Sequence, residues 1–263
     1  MTPSPTIHSI AHDSTGEPIG DRVITIVGDP ILADTRALLI ALNYVQYPYK
    51  LERINTLVGQ HRSKEFISKY PSGYLPILID GNCQIYGSVT IALAHICRKY
   101  SEAGEKLSFR KYAKQTDQLS ALFEQRFRPV TTRLSRMMLV PHSTQRDSTK
   151  VSQQDLDSQL REVKLRVLPQ LEKILDNRQF FCGDEITCLD IQIYCELSTV
   201  TELLGRGPLV DDTLPGLQKW MELLDLTASF KENDRAIRSS SDRRFRISAP
   251  RLPAERASGV SLI

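Results

Sequence analysis

Thiols are the first group in this chain with chemistry to offer. There are five, Cys83, Cys97, Cys182, Cys188 and Cys195. No two of them form a Cys-x-x-Cys pair, and no histidine stands at zinc-ligand spacing from them. The pattern therefore argues for reduced thiols that act as small apolar residues, in a reducing compartment, rather than for a disulfide framework or a metal site. Hydroxyls at helix starts come next. Ser88 precedes an apolar helical pattern and caps it, and either Asp34 or Thr35 does the same for an earlier one. His61, beside Gln60, reads from the residues alone as a surface-loop histidine. Phe123, Phe127, Met137 and Met138 recur at helical spacing, which favours a core face.

The chain that must position these groups has 263 residues, enough for one large domain or two small ones. Hydrophobic residues make up 41% and charged residues 25%, the balance of an ordinary globular protein. A net charge of +3 is too small to mark a nucleic-acid binder. No apolar run approaches the roughly 18–20 residues that cross a bilayer. Residues 1–21 are rich in Pro, Ser and Thr, are acidic, and hold neither an apolar segment nor the cations of a presequence, so they read as an extended arm. Residues 237–263 read as a basic tail.

The elements between these ends follow from periodicity. Arg22–Val27 alternates and is β-branched, hence a strand; Gly28-Asp29-Pro30 breaks it, and Arg36–Leu42 continues as a helix. Tyr49–Ile54 is a second strand, Ser63–Lys69 a short helix and Pro71-Ser-Gly73 a turn. Leu75–Ile79 and Cys83–Tyr86 flank Asp80-Gly81 as a hairpin, and the helix capped by Ser88 runs to Lys99. This βαβαββα order places a thioredoxin-like domain at 22–101. An all-helical domain follows at 102–236. There Lys111–Met138 is amphipathic, with Pro129 either kinking the helix or dividing it in two. Pro141–Gln153 is a loop and Asp155–Leu175 a helix despite Pro169. Asp190–Leu204 is the central helix, preceded by the capping pattern Thr187-Cys-Leu-Asp190, and Pro215–Leu226 is a further helix with proline in its first turn.

Five local motifs then resemble the theta-like glutathione transferases, across roughly Arg22 to Phe230. They are Leu57-Val-Gly-Gln-His61, Pro71-Ser-Gly-Tyr-Leu-Pro-Ile-Leu-Ile-Asp-Gly81, Ser88-x-x-Ile91, Phe181-Cys-Gly-Asp-Glu-Ile-Thr-Cys-Leu-Asp190 and Pro215-x-Leu-x-x-Trp220. The resemblance implies a glutathione-transferase fold, an α/β thioredoxin-like domain followed by an all-α bundle. It also implies a site for glutathione. In that site the peptide before a cis-proline, here Leu75-Pro76, pairs with the tripeptide backbone as an added strand would. Ser88 at its helix N-terminus suits the γ-glutamyl carboxylate, and Gln60 and His61 match residues that reach the glycine carboxylate. Phe123, Phe127, Met137 and Met138 are the second-domain candidates for an electrophile site, and Arg128 matches an arginine that theta-like enzymes carry on this helix.

Three of the family's polar groups have no counterpart. Aligned on Arg36-Ala37, Leu32 stands where theta-like enzymes carry the serine that stabilises the thiolate, with Asp34 nearby and Thr35 as the neighbouring hydroxyl. Gly87 stands where an acidic residue precedes Ser88, and Tyr74 where a lysine is common. Loss of one charge-assisted hydrogen bond is worth about 1.5–3 kcal/mol, a tenfold to hundredfold change in affinity. Two readings follow. One is a catalytically weak or inactive transferase-like protein that serves as a binding or structural subunit, with partners contacting the arm and the basic tail. The other is an active theta-like transferase, with Thr35 or a backbone N–H near Leu32 in the serine's role. A third reading, an adaptor for a nucleic acid or an acidic partner through the basic tail, rests on the tail's charge alone. A homodimer, no metal, and a cytoplasmic or organelle-associated location complete the expectations.

Overall fold

The computed structural model describes residues 23–107, 113–139, 152–176, 178–204 and 209–233. The arm, the basic tail and most of the Pro141–Gln153 stretch lie outside the described residues.

Four strands form one sheet: β1 Ile24–Gly28, β2 Tyr49–Arg53, β3 Ile77–Asp80 and β4 Cys83–Tyr86, in the order β2-β1-β3-β4. β1 and β2 are parallel, with Ile24 opposite Tyr49, because the helix α1 (Ala33–Tyr44) carries the chain back between them. β1–β3 and β3–β4 are antiparallel, with Ile77 opposite Tyr86. The period-two alternation decides what each face meets. Ile24, Ile26 and Leu78 pack in the main core with α1 and with α3 (Val89–Lys99). Val27 and Ile77 face the other way, against Phe66 of the short helix α2 (Lys64–Lys69), Tyr70 and Ile54.

Among the described residues, the remaining regular elements are helices. They comprise α4 (Ser101–Lys106), α5 (Ala113–Leu122), α6 (Arg128–Leu139), α7 (Gln153–Glu162), α8 (Leu168–Leu175), α9 (Cys188–Leu204) and α10 (Pro215–Asp225). α9 is buried continuously from Cys188 to Val200, so it is the axis of the helical layer, and α1 lies against it. Asp190 anchors its start. Its carboxylate accepts from Thr187 N–H (2.9 Å) and Oγ1 (2.6 Å), from Phe181 N–H (3.0 Å) and from Trp220 Nε1 (3.0 Å). The start of α10 is held likewise from α8, where Glu172 accepts from Gly216 N–H (2.8 Å) and Leu217 N–H (2.7 Å).

Pro129 does not divide its helix. Arg128 N–H bonds five residues back to Phe123 O, so Phe123–Phe127 is a π turn that joins α5 to α6. The same device precedes Pro169, where Leu168 N–H reaches Val163 O across the π turn Val163–Val167. A proline lacks the N–H and crowds the carbonyl four residues back, and a widened turn just before it accommodates both. The short helix α4 has no counterpart among the elements expected from the sequence.

Candidate functional site

The site implied by the sequence is built where β1 hands over to α1. β1 ends at Gly28, and the chain turns through Asp29 and Pro30 to Leu32, the residue before α1. Asp29 braces this turn. One carboxylate oxygen accepts from Ile31 N–H (3.1 Å), and the other from Thr56 N–H (2.8 Å) and Thr56 Oγ1 (2.6 Å). Leu32 occupies the cap position with extended backbone (φ −84°, ψ 132°) and offers no side-chain cap. Neither Asp34 nor Thr35 caps the helix; both lie inside its first turn. Leu32 N–H is itself occupied, donating to Asp29 O (2.9 Å).

Thr35 turns inward. It is fully buried, its hydroxyl has no hydrogen-bond partner, and it lies over Gly28, where a Cβ would come within 2.6 Å of Thr35 Oγ1. The absence of a side chain at residue 28 is what lets the threonine sit there. Its hydroxyl therefore packs against β1 and does not face an open cleft. Arg36 is also fully buried, and it donates to Pro30 O (3.3 Å), Cys195 O (2.8 Å), Ser198 Oγ (3.0 Å) and Thr199 Oγ1 (2.8 Å). The start of α1 is thus tied to α9.

Asp34 binds the Arg128 guanidinium through both carboxylate oxygens. The same guanidinium donates to Glu124 (2.7 and 2.8 Å) and to Glu196 (3.4 Å). Three carboxylates thus share one cation. Burial raises the Asp34 carboxyl above its ordinary range against the pull of Arg128, with Glu124 adding to the rise. Burial and the Asp34 charge raise Glu196 to about 7.

The second half of the site is the rim around the proline. The Leu75-Pro76 peptide is cis, and Pro76 O accepts from Gly87 N–H (2.9 Å). The sheet register begins only at Ile77, opposite Tyr86, so the Leu75 backbone stands outside the ladder. Ser88 caps α3, accepting from Ile91 N–H (3.3 Å). His61 adjoins this rim, its carbonyl lying 3.8 Å from where a Gly73 Cβ would be. Burial, with Arg62 beside it, lowers the His61 pKa, and its Nδ1 is buried without a partner. Gln60 lies in the same 3-10 turn, and its Oε1 accepts from Asn55 N–H (2.9 Å). Tyr74 is 69% exposed, and Gly87 (φ +65°) approaches it so closely that a Cβ would lie 2.8 Å from Tyr74 Cβ.

The fold therefore brings Leu75, Pro76 and Ser88 to one rim, with the His61 carbonyl near Gly73 at its approach. It does not bring Phe123 and Phe127 there. Both are core residues, 2% and 4% exposed, because the π turn points them inward together, and Met138 is buried with them. The Asp34–Arg128–Glu124–Glu196 cluster was missed in the sequence. Its one visible signal is the Glu124/Arg128 spacing of four on a helix.

Known proteins agree with this architecture. Residues 34–104 match the family described as Glutathione S-transferase, N-terminal domain, and residues 127–224 match Glutathione S-transferase, C-terminal domain. Glutathione S-transferase F6 of Arabidopsis thaliana is 27% identical over 203 residues, covering 75% of this chain and 92% of that protein. Glutathione S-transferase theta-1 of Homo sapiens is 25% identical over 227 residues, covering 79% and 85%. Among solved structures, the apo form of human glutathione-S-transferase T1-1 superposes with a TM-score of 0.71 at 22% identity, over 83% of this chain and 91% of that one. Glutathione transferase F7 from Populus trichocarpa gives 0.68 at 18% identity, over 82% and 99%. With both halves of the chain matched and the sheet, cis-proline and helical bundle in place, this protein belongs to the glutathione S-transferase superfamily.

Proposed function

We propose that the protein is a transferase-like binding subunit with weak or no thiol activation. The observation that carries this is the start of α1. A leucine stands at the cap position, and neither substitute donor is offered to a ligand: the Thr35 hydroxyl is buried over Gly28, and Leu32 N–H bonds Asp29 O. A free thiol ionises near pH 8.5, so without a donor to its thiolate little of it is reactive at neutral pH. Asp34 adds a carboxylate where a thiolate would need the opposite charge. The rim keeps the backbone of a tripeptide slot: Leu75, Pro76 and Ser88 offer a strand-like edge and a helix N-terminus, with Gln60 and His61 beside them. Glutathione binding there is weak because no side chain replaces the acid lost at Gly87 or the cation lost at Tyr74. Arg128 serves as a structural tie.

The test is calorimetric titration of glutathione into the intact protein, with a conjugation assay on a generic electrophile. The expected result is no saturation in the micromolar range and no turnover above buffer. Micromolar binding with turnover would sink the reading in favour of an active theta-like transferase. Leu32→Ser with Tyr74→Lys is expected to bring back measurable glutathione binding, about tenfold or more per restored contact. For the partner half of the proposal, the arm and basic tail contact other proteins. A chain ending at Phe230 then captures fewer partners than the intact one, and equal capture would remove the tail from the interaction.

A further inference from the structure

A cavity of about 310 Å³ lies between α3, α5 and α9, with Thr90 and Glu124 on its lining. That is the size at which small-molecule pockets begin. Ile91, Ala94 and Ala121 make part of its lining apolar. Another part is polar and already wired. Gln192 is only 5% exposed, its Nε2 donates to Thr90 Oγ1 (3.1 Å), and Thr90 Oγ1 donates to Glu124 Oε1 (2.8 Å). Gln192 Oε1 is left with no donor, although it is buried and its residue lines the cavity. Buried acceptors are almost always satisfied, and this one has space beside it for the missing donor. Two carboxylates, Asp117 and Glu124, line the cavity with one cation, Arg98, and Glu124 is also held from behind by Arg128.

We propose that this cavity binds a small organic ammonium, an apolar body of one ring carrying a protonated amine. The body packs on Ile91, Ala94 and Ala121. One N–H donates to Gln192 Oε1, and the positive charge is met first by Asp117 and then by Glu124, which the ligand shares with Arg128. An anion is disfavoured by those two carboxylates, and an alcohol supplies the donor without the charge. The site does not depend on glutathione binding, so its success or failure is separate from the reading above.

The probe is 2-phenylethylammonium, titrated calorimetrically into the full-length protein beside 2-phenylethanol and phenylacetate. The expected result is saturable binding of the ammonium, binding of the alcohol at least tenfold weaker, and none of phenylacetate. Gln192→Leu is expected to weaken the ammonium at least tenfold. Should that variant fail to fold by circular dichroism, Ala121→Phe, at an exposed position on the lining, fills the cavity and is expected to abolish binding with the fold intact. Absence of saturation by the ammonium overturns the proposal and leaves a cavity for water. Equal binding of the three probes overturns it in favour of apolar contact alone. Unchanged affinity in Ala121→Phe overturns it by placing the ligand elsewhere.

Discussion

Gly81 and Gly87 hold nearly the same backbone twist, with φ at +59° and +65°, but their surroundings differ. A Cβ on Gly81 meets nothing within 4 Å, whereas one on Gly87 meets Tyr74 Cβ at 2.8 Å. Gly81→Ala is therefore expected to carry only the left-handed backbone penalty, about 1–2 kcal/mol. Gly87→Ala adds a steric cost of about 1–3 kcal/mol to the same penalty. Urea midpoints of the two variants measure the difference, and equal midpoints would mean that Tyr74 moves aside without resistance. This contact also links two losses that look independent in the sequence. With the backbone at residue 87 this close to Tyr74 Cβ, restoring an acidic side chain there meets a clash whatever residue stands at 74, since every side chain but glycine carries a Cβ. That is why restoration is better attempted at Leu32 and Tyr74. The absence of a serine, an acid and a lysine was legible once the motifs were set against the pattern of the family they resemble. The inward turn of Thr35 was not, because it depends on Gly28, at the end of the preceding strand, having no side chain.

Among the elements, α9 shows how a few residues make a helix start legible. Thr187-x-x-Asp190 is a local pattern, and the structure fills it with four hydrogen bonds to one buried carboxylate, two of them from Phe181 and Trp220, outside the motif. Burial raises the Asp190 carboxyl against the pull of those donors. Asp190→Ala leaves four donors unmet in a dry environment, and the expected loss is at least about 3 kcal/mol, seen as a lower urea midpoint. A loss below about 1 kcal/mol would mean that water replaces the carboxylate at the start of α9. Strands and most helices were legible for the same reason as this cap, since period and cap are properties of neighbouring residues. The treatment of the prolines was not. Pro129 permits a break, a kink or a π turn on local grounds. The π turn is the arrangement in which Phe123 and Phe127 both stay in the core, and Val163 and Val167 repeat it ahead of Pro169. A choice made by tertiary packing leaves no mark in the local sequence.

At the scale of the whole molecule, the sheet layer and the helical layer are joined through the start of α1. Arg36 reaches four oxygen acceptors, three of them on α9, and Asp34 reaches Arg128 on α6, which in turn reaches Glu196 on α9. Thr132 also donates to Glu196 (3.3 Å). This junction has a measurable consequence in pH. Burial first, then the Asp34 charge, raise Glu196 from an ordinary 4.5 to about 7, and Arg128 only partly offsets them. The folded protein thus holds a proton on Glu196 that the unfolded chain releases at about pH 4.5. Between these two values the folded state binds more protons, so stability falls as pH rises through the window and levels off above it. One proton held across one pH unit is worth about 1.4 kcal/mol, so the whole window is worth about 3.5 kcal/mol, of which about 2–3 kcal/mol falls above pH 5. Glu196→Gln keeps an acceptor for Thr132 and Arg128 but cannot ionise. The variant is expected to gain on the wild type by the latter amount between pH 5 and pH 8, in urea unfolding at fixed ionic strength. His61 acts with the opposite sign, because its lowered pKa makes the fold more stable as pH rises, but it is common to both proteins and cancels in the comparison. Parallel stability curves for the two proteins would mean that Glu196 stays ionised throughout, with Arg128 outweighing burial. In that case the junction would be a conventional ion-pair network, held by charge at every pH in the window.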